Sequence, residues 1–239
     1  MNHSVDAIGV IVPAHNEQDL LPSCLASVRR AGRALPGTPV HLVVVADDCQ
    51  DRTAEVARRG GASVVTISAR SAGAARAAGA QEILSRTGRL DPANVWLATT
   101  DADTLVPACW LRQQARYAGQ GWDAIVGTIQ VADWSGYPSA TRSLFRQRYE
   151  RDQPAAGGAS QHRHVHGANL GFRAAAYLRA GGFPALPTAE DHALVAALSA
   201  GGSRVLRTRE LPVVTSARRD SRAPDGFGHY LKQLEATPA

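Results

Sequence analysis

The chain has 239 residues, 44% of them hydrophobic and 20% charged, which fits one sizeable soluble domain with a full core and excludes disorder as the dominant state. The formal net charge is +5 and the isoelectric point near 9.6, with Lys232 the only lysine among 26 basic residues. No basic run of the type that tracks a phosphate backbone occurs, and aromatic residues for stacking bases make up only 5%, so no nucleic acid is expected as a partner.

The longest apolar run, Val40 to Ala46, falls far short of the ~20 residues needed to span a bilayer. The start, MNHSVDAIGV, lacks the basic and long apolar regions of a secretory signal. Cytoplasmic residence is expected, with no transmembrane segment and at most a peripheral membrane contact. Cys24, Cys49 and Cys109 are odd in number and widely spaced, which indicates neither a disulfide framework nor a zinc site.

In chain order, Ile8 to Val12 is a short apolar run stopped by Pro13, and Glu17 to Arg30 carries Leu20, Leu21, Cys24, Leu25 and Val28 at helical spacing. Val40 to Ala46 reads as a buried parallel strand, Asp51 to Arg59 as a second helix, Ser63 to Ile67 as a third strand, Ala72 to Ser85 as a third helix and Val95 to Thr99 as a fourth strand. Strands and helices alternating in this way predict right-handed crossovers and an open, mostly parallel α/β sheet. Further on, Pro107 to Gly119 is predicted as a helix, Trp122 to Val131 as one strand, and Ser139 to Arg151 as a helix with Leu144, Phe145 and Tyr149 at helical spacing. A Pro/Ala/Gly loop from Gln153 to Ser160 precedes His162, His164 and His166, and then come GANLGF, a helix from Arg173 to Ala180, and another from Glu190 to Ser199. The tail after Thr215 is polar and expected to be partly mobile. No repeat or linker divides the chain, so 1–239 is read as one domain, in two halves (1–105 and 106–214) and a tail (215–239) carrying Ser216, Arg218, Arg219, Gly226 and Gly228 as a candidate lid.

In open α/β sheets ligands sit outside the carboxyl ends of the strands. Here those ends carry His15-Asn16-Glu17, Asp47-Asp48, Arg70-Ser71 and Asp101-Ala102-Asp103, which should converge on one crevice. Alternate residues of an extended strand face one side, so Asp101 and Asp103 together can hold a divalent cation against a diphosphate; the plainer reading is a solvated turn. Glu17 and the Glu190-Asp191 pair can each serve as nothing more than acidic partners of a helix start. Asp48 and Asp51 are candidate helix caps, leaving Asp47 to accept a base N–H. SAGAARAAG can be a phosphate cradle at a helix start or simply a close-packing face. The alternating histidines allow a metal site or a solvated loop.

Taken in order, IVPAHNE, VVVADDCQDRTAEVA, SAGAARAAGA, TTDAD, HGANLGFR and the late ED resemble the family 2 glycosyltransferases over about residues 6 to 200. The resemblance implies the GT-A nucleotide-sugar-binding fold and a sugar transfer from a UDP-, GDP- or dTDP-sugar to a hydroxyl acceptor, small or lipid-linked, with inversion. It places Pro13, Ala14, His15 and Glu17 along the nucleoside pocket, Asp47 at the base, and Gly73 and Arg76 at the donor. Asp101, Ala102 and Asp103 become the D-x-D, with Asp103 ligating Mn²⁺ or Mg²⁺. Asp191 becomes the general base, and His166, Asn169 and Glu190 face the acceptor. Many relatives place a metal-binding histidine on the strand after the ED helix, whereas this chain reads LPVVTSARRD there. The rival expectations are a degenerate nucleotide-sugar-binding protein and a sugar-phosphate nucleotidyltransferase. The latter calls for a glycine-rich phosphate loop with a lysine, and PAHNEQD has neither.

Overall fold

The computed structural model describes residues 4–151, 162–186, 188–219 and 226–236. The expected loop at 153–160 lies outside them.

The first half alternates as its apolar runs predict: β1 (Ala7–Ala14), α1 (Leu21–Arg33), β2 (Val40–Asp47), α2 (Thr53–Arg59), β3 (Ser63–Ile67), α3 (Ala72–Arg86) and β4 (Val95–Thr99). The strands pair in parallel in the order β3-β2-β1-β4, so all four end at one edge. Helix α1 buries Leu21, Cys24, Leu25, Val28 and Ala31 on one stripe, as its spacing predicts, but it starts at Leu21 rather than Glu17. Glu17 sits in the turn before it, so its carboxylate is not a helix-start partner. In α3 the small residues pack closely on the sheet: a Cβ on Gly79 would lie 2.5 Å from Cγ2 of Ile11.

The second half is β5 (Thr104–Leu105), α4 (Trp110–Gly119), β6 (Ala124–Val126), β7 (Ile129–Val131), α5 (Ser139–Arg151), β8 (Leu170–Arg173), α6 (Ala174–Arg179), α7 (Glu190–Ala200), β9 (Val205–Arg207), β10 (Val213–Thr215) and α8 (Phe227–Glu235). β8, β6 and β9 extend the sheet beyond β4 to seven strands, with β8 antiparallel to both neighbours. The other short strands form a separate sheet, β5-β10-β7.

The single strand expected from Trp122 to Val131 is therefore two strands in two sheets. The chain changes sheet at Gly127-Thr128 because other partners take its backbone there. Gly127 N–H donates to the Asn169 carbonyl at 2.9 Å, Asn169 Nδ2 donates to the Thr128 carbonyl at 2.8 Å, and His162 Nε2 donates to the Val126 carbonyl at 3.0 Å. The described residues of the tail include a helix that its polarity does not predict. Helix α8 packs on α5 through Phe145, Tyr149, Phe227 and Tyr230, with ring centroids 5.1 to 6.5 Å apart.

Gly171, at the centre of β8, lies against a buried hydrogen bond from Trp96 Nε1 to Gln114 Oε1 of 2.7 Å. A Cβ there would sit 2.0 Å from that oxygen. Gly171→Ala is expected to break the bond and lower stability by about 3 kcal/mol, read from the urea unfolding midpoint, through overpacking and an orphaned polar pair. Gly119→Ala, where nothing lies within 4 Å of the new methyl, should not lower it.

Candidate functional site

The strand ends converge on a cavity of about 780 Å³. Pro13, Ala14, His15, Glu17 and Asp47 line it from β1 and β2, and Ser71, Ala72, Ala75 and Arg76 from the start of α3. Asp101, Ala102 and Asp103 follow β4, while His166, Glu190 and Asp191 close the far side. Among the described residues, four outside glycine take left-handed backbone, Asn16, Asp48, Arg70 and Ala189, and all lie in the loops around this opening.

Asp47 organises one wall. Its Oδ1 accepts the amides of Ala69 and Arg70 at 2.7 and 2.9 Å, and its Oδ2 accepts that of Ser71 at 2.8 Å. The carboxylate thus folds the loop that leads into α3, where Ser71 Oγ caps the Ala74 amide. A carboxylate offers about four lone-pair positions, so one remains for a ligand. Asp51 is a cap, as its spacing allows, accepting the Thr53 amide at 2.9 Å.

Arg76 joins the two halves of the site. It is buried, and its Nη2 donates to Asp101 Oδ1 at 2.7 Å while its Nη1 donates to Glu190 Oε1. Burial works against its charge, but Asp101, Glu190 and Asp191 together raise its pKa above the ordinary arginine value. Burial likewise raises Glu190, with Arg76 opposing. Glu190 lines the cavity but is held by this ion pair rather than left open for a ligand, which changes its expected role. Gly167 lies flat on the same guanidinium, a Cβ there falling 2.3 Å from Nη2 of Arg76. The Gly167 amide donates to Asp191 Oδ2 at 2.8 Å, and the other carboxylate oxygen of Asp191 accepts the His192 amide.

Asp103 is pushed up to about 6 by burial, with Asp101 and Glu17 adding to the rise and Arg218 opposing it. Arg218 comes from the segment after β10. Its Nη1 donates to Glu17 Oε2 at 2.7 Å, its Nη2 donates to Glu17 Oε1, and Nη2 lies 3.3 Å from Asp103 Oδ2.

His166 meets Tyr149, whose hydroxyl accepts the Ile129 amide at 3.1 Å and lies 3.0 Å from His166 Nε2. Burial pushes Tyr149 up to about 12, so the hydroxyl keeps its proton. Burial, with the neighbouring imidazoles adding, pushes His166 down to about 3, so the ring is neutral. His162, His164 and His166 do share one face, as a stack with centroids 5.9 Å apart. Among the described residues no group of three or more His, Cys, Asp or Glu is arranged to hold a metal.

Two expected site residues lie elsewhere. Asn169 is buried under the site: its Oδ1 accepts Trp110 Nε1 at 3.0 Å and its Nδ2 donates to the carbonyls of Thr128 and Leu211, so its amide ties the two sheets together and does not face an acceptor. Gly73 does not line the cavity. A Cβ there would lie 2.9 Å from the Pro184 carbonyl and 3.0 Å from Glu190 Cβ, so the glycine serves close packing of α3 against the start of α7. Sequence reasoning passed over Tyr149 as a site residue and Phe227 and Tyr230 as cavity walls. The helical spacing of Tyr149 on an otherwise arginine-rich helix was the available signal for the first.

Several comparisons bear on identity. The chain is 30% identical over 154 residues to an undecaprenyl-phosphate 4-deoxy-4-formamido-L-arabinose transferase of Pseudomonas paraeruginosa, covering 61% of this chain and 43% of that protein, so it spans less than half the length of this curated relative. The S. aureus TarS fragment 1–349, solved with UDP-GlcNAc, superposes with a TM-score of 0.63 at 14% identity over 95% of this chain and 64% of that one. The mannosyltransferase PcManGT of Pyrobaculum calidifontis, solved with GDP-Man and Mn²⁺, superposes with a TM-score of 0.59 at 18% identity over 95% of this chain and 60% of that one. These superpositions establish the fold as GT-A. The family model described as glycosyl transferase family 2 matches residues 9–179, and the chain belongs to that family.

Proposed function

We propose that the chain transfers a sugar from a nucleoside diphosphate to a hydroxyl acceptor with inversion, using a divalent cation. The observation that carries this reading is the meeting, in one cavity, of the Asp101/Asp103 pair and the Glu190-Asp191 pair, with Arg76 bonded between Asp101 and Glu190. Membership of family 2 supports the reaction class. The Mn²⁺ and sugar nucleotide in the PcManGT complex support the cofactor class, with Mn²⁺ and Mg²⁺ both compatible.

The donor set fits a cation. Six carboxylates and only three guanidiniums are among the residues lining the cavity, so a diphosphate needs added positive charge to enter. Asp103 would hold the cation and Asp101 would face the ribose or a bound water; the cation would neutralise charge building on the departing nucleoside diphosphate. Pro13, Ala14, His15 and Glu17 form the nucleoside wall, and Asp47 offers its remaining lone pair to a base N–H. Asp191 takes the acceptor proton as the hydroxyl attacks from the face opposite the leaving group. His166, its Nε2 paired with Tyr149, lines the acceptor side of the cavity. In this reading residues 1–105 bind the donor, 106–214 bind the acceptor, and the segment from Thr215 closes one side. Among the described residues no helix is long and apolar enough to cross a membrane; in this reading the acceptor is a small molecule or a lipid-linked hydroxyl.

The test is a thermal-shift panel of UDP, GDP and dTDP, each with Mn²⁺, Mg²⁺ or chelator. One diphosphate with cation, at about 100 times its Kd, should raise the midpoint by roughly 5–10 °C, and much less in chelator. A panel in which no diphosphate moves the midpoint counts decisively against the reading.

A further inference from the structure

Arg218 does not hang on a loose tail. Thr215, at the end of β10, pairs with Thr104 of β5, and their hydroxyls are 3.1 Å apart. Thr104 follows Asp103 directly, so the small sheet delivers the chain after β10 to the carboxylate pair. Glu17 then grips the guanidinium with both oxygens and fixes its plane. The Nε–H of Arg218 has no protein partner among the described residues and is not among their buried unpaired atoms, and Arg218 lines the cavity.

A second observation bears on the cation. A guanidinium nitrogen of Arg218 lies 3.3 Å from Asp103 Oδ2, and no group of three or more metal-ligating side chains exists among the described residues. A cation held by Asp103 would share its corner with that fixed positive charge, which the anionic oxygens of a diphosphate would offset.

We propose that Arg218 is a donor-binding residue that contacts the diphosphate beside Asp103, buttressed by Glu17, and that its fixed charge beside Asp103 makes the cation bind only together with the nucleotide. The inference rests on the donor-site reading above and assigns it a charge-bearing residue from the far end of the chain.

The experiment is titration calorimetry on the full chain, with Mn²⁺ alone, with UDP and GDP in Mn²⁺, and with the corresponding nucleosides. Wild type should show no binding of Mn²⁺ alone up to millimolar concentration but should bind the cognate diphosphate in Mn²⁺. Arg218→Gln should weaken the diphosphate roughly ten- to hundredfold, the effect of losing charge-assisted hydrogen bonds, and leave nucleoside affinity unchanged. Arg218→Lys should recover part of the loss, because it restores the charge without the fork. Arg218→His should gain binding of Mn²⁺ alone, visible as loss of the free-ion paramagnetic resonance signal. If Arg218→Gln unfolds because Glu17 is left unpaired, the Glu17→Gln/Arg218→Gln pair removes both charges and is measured in the same way. Equal diphosphate affinity with and without Arg218, or tight Mn²⁺ binding by wild type alone, overturns the proposal. Wild type that binds neither diphosphate under any condition overturns the donor-site reading itself, a distinguishable failure.

Discussion

Asp191→Asn should leave nucleoside diphosphate binding within about twofold of wild type while slowing sugar transfer by roughly 10²- to 10⁴-fold, the range that general-base catalysis contributes. The substitution is nearly isosteric. The Asn side-chain oxygen can still accept the Gly167 amide that Asp191 Oδ2 accepts at 2.8 Å, so the start of α7 should keep its place. What disappears is a carboxylate able to take the acceptor proton. Loss of one acidic residue from the first turn of the helix costs about 0.3–1 kcal/mol, too little to unfold the chain. Single-turnover transfer to an identified acceptor separates chemistry from binding. Near-normal turnover in the variant, or a product that keeps the donor's anomeric configuration, would remove Asp191 from the mechanism.

Asp103→Ala should abolish the cation-dependent part of nucleotide affinity and leave the fold intact. Asp103 shares its corner with Asp101 and Glu17, and its main favourable partner, Arg218, stays paired with Glu17 when it is gone. The measurement is the diphosphate Kd in Mn²⁺ against chelator, and the two values should coincide in the variant. A difference as large as in wild type would place the cation elsewhere.

Much of the donor half was legible because its signals are local. Each of β1 to β4 is an apolar run with a polar cluster at its end, and parallel pairing brings those ends to one edge whatever the later chain does. The second half was harder to read because β5 to β7, β9 and β10 are two or three residues long, too short for a period. Their existence depends on partners distant in sequence: the break at Gly127 becomes visible only when Asn169 and His162 arrive to take the freed carbonyls. The same limit applied to the site. Asp101, Asp103 and Asp191 stand in motifs whose neighbours are their structural context. Arg218 meets Glu17 across 201 positions, and nothing in SARRD itself points there. Asn169 and Gly73 show the converse, since residues within a functional motif can serve packing alone. Glu190 falls between: it stands at the cavity wall, but as one end of a buried ion pair.

That ion pair limits how such a chain could be diversified. Arg76 holds Asp101 and Glu190 at once, so replacing Arg76 leaves the buried Glu190 carboxylate without its partner, with a penalty of about 3–5 kcal/mol, whereas replacing either carboxylate leaves the other on the guanidinium. Substitutions at 76, 101 and 190 are therefore expected to be non-additive, with Arg76 the least replaceable of the three. On the reading proposed above, acceptor preference would be altered instead along the wall formed by Ile129, His166, Phe227 and Tyr230. An engineer seeking a new acceptor for this scaffold should leave the arginine and both carboxylates untouched and randomise that wall.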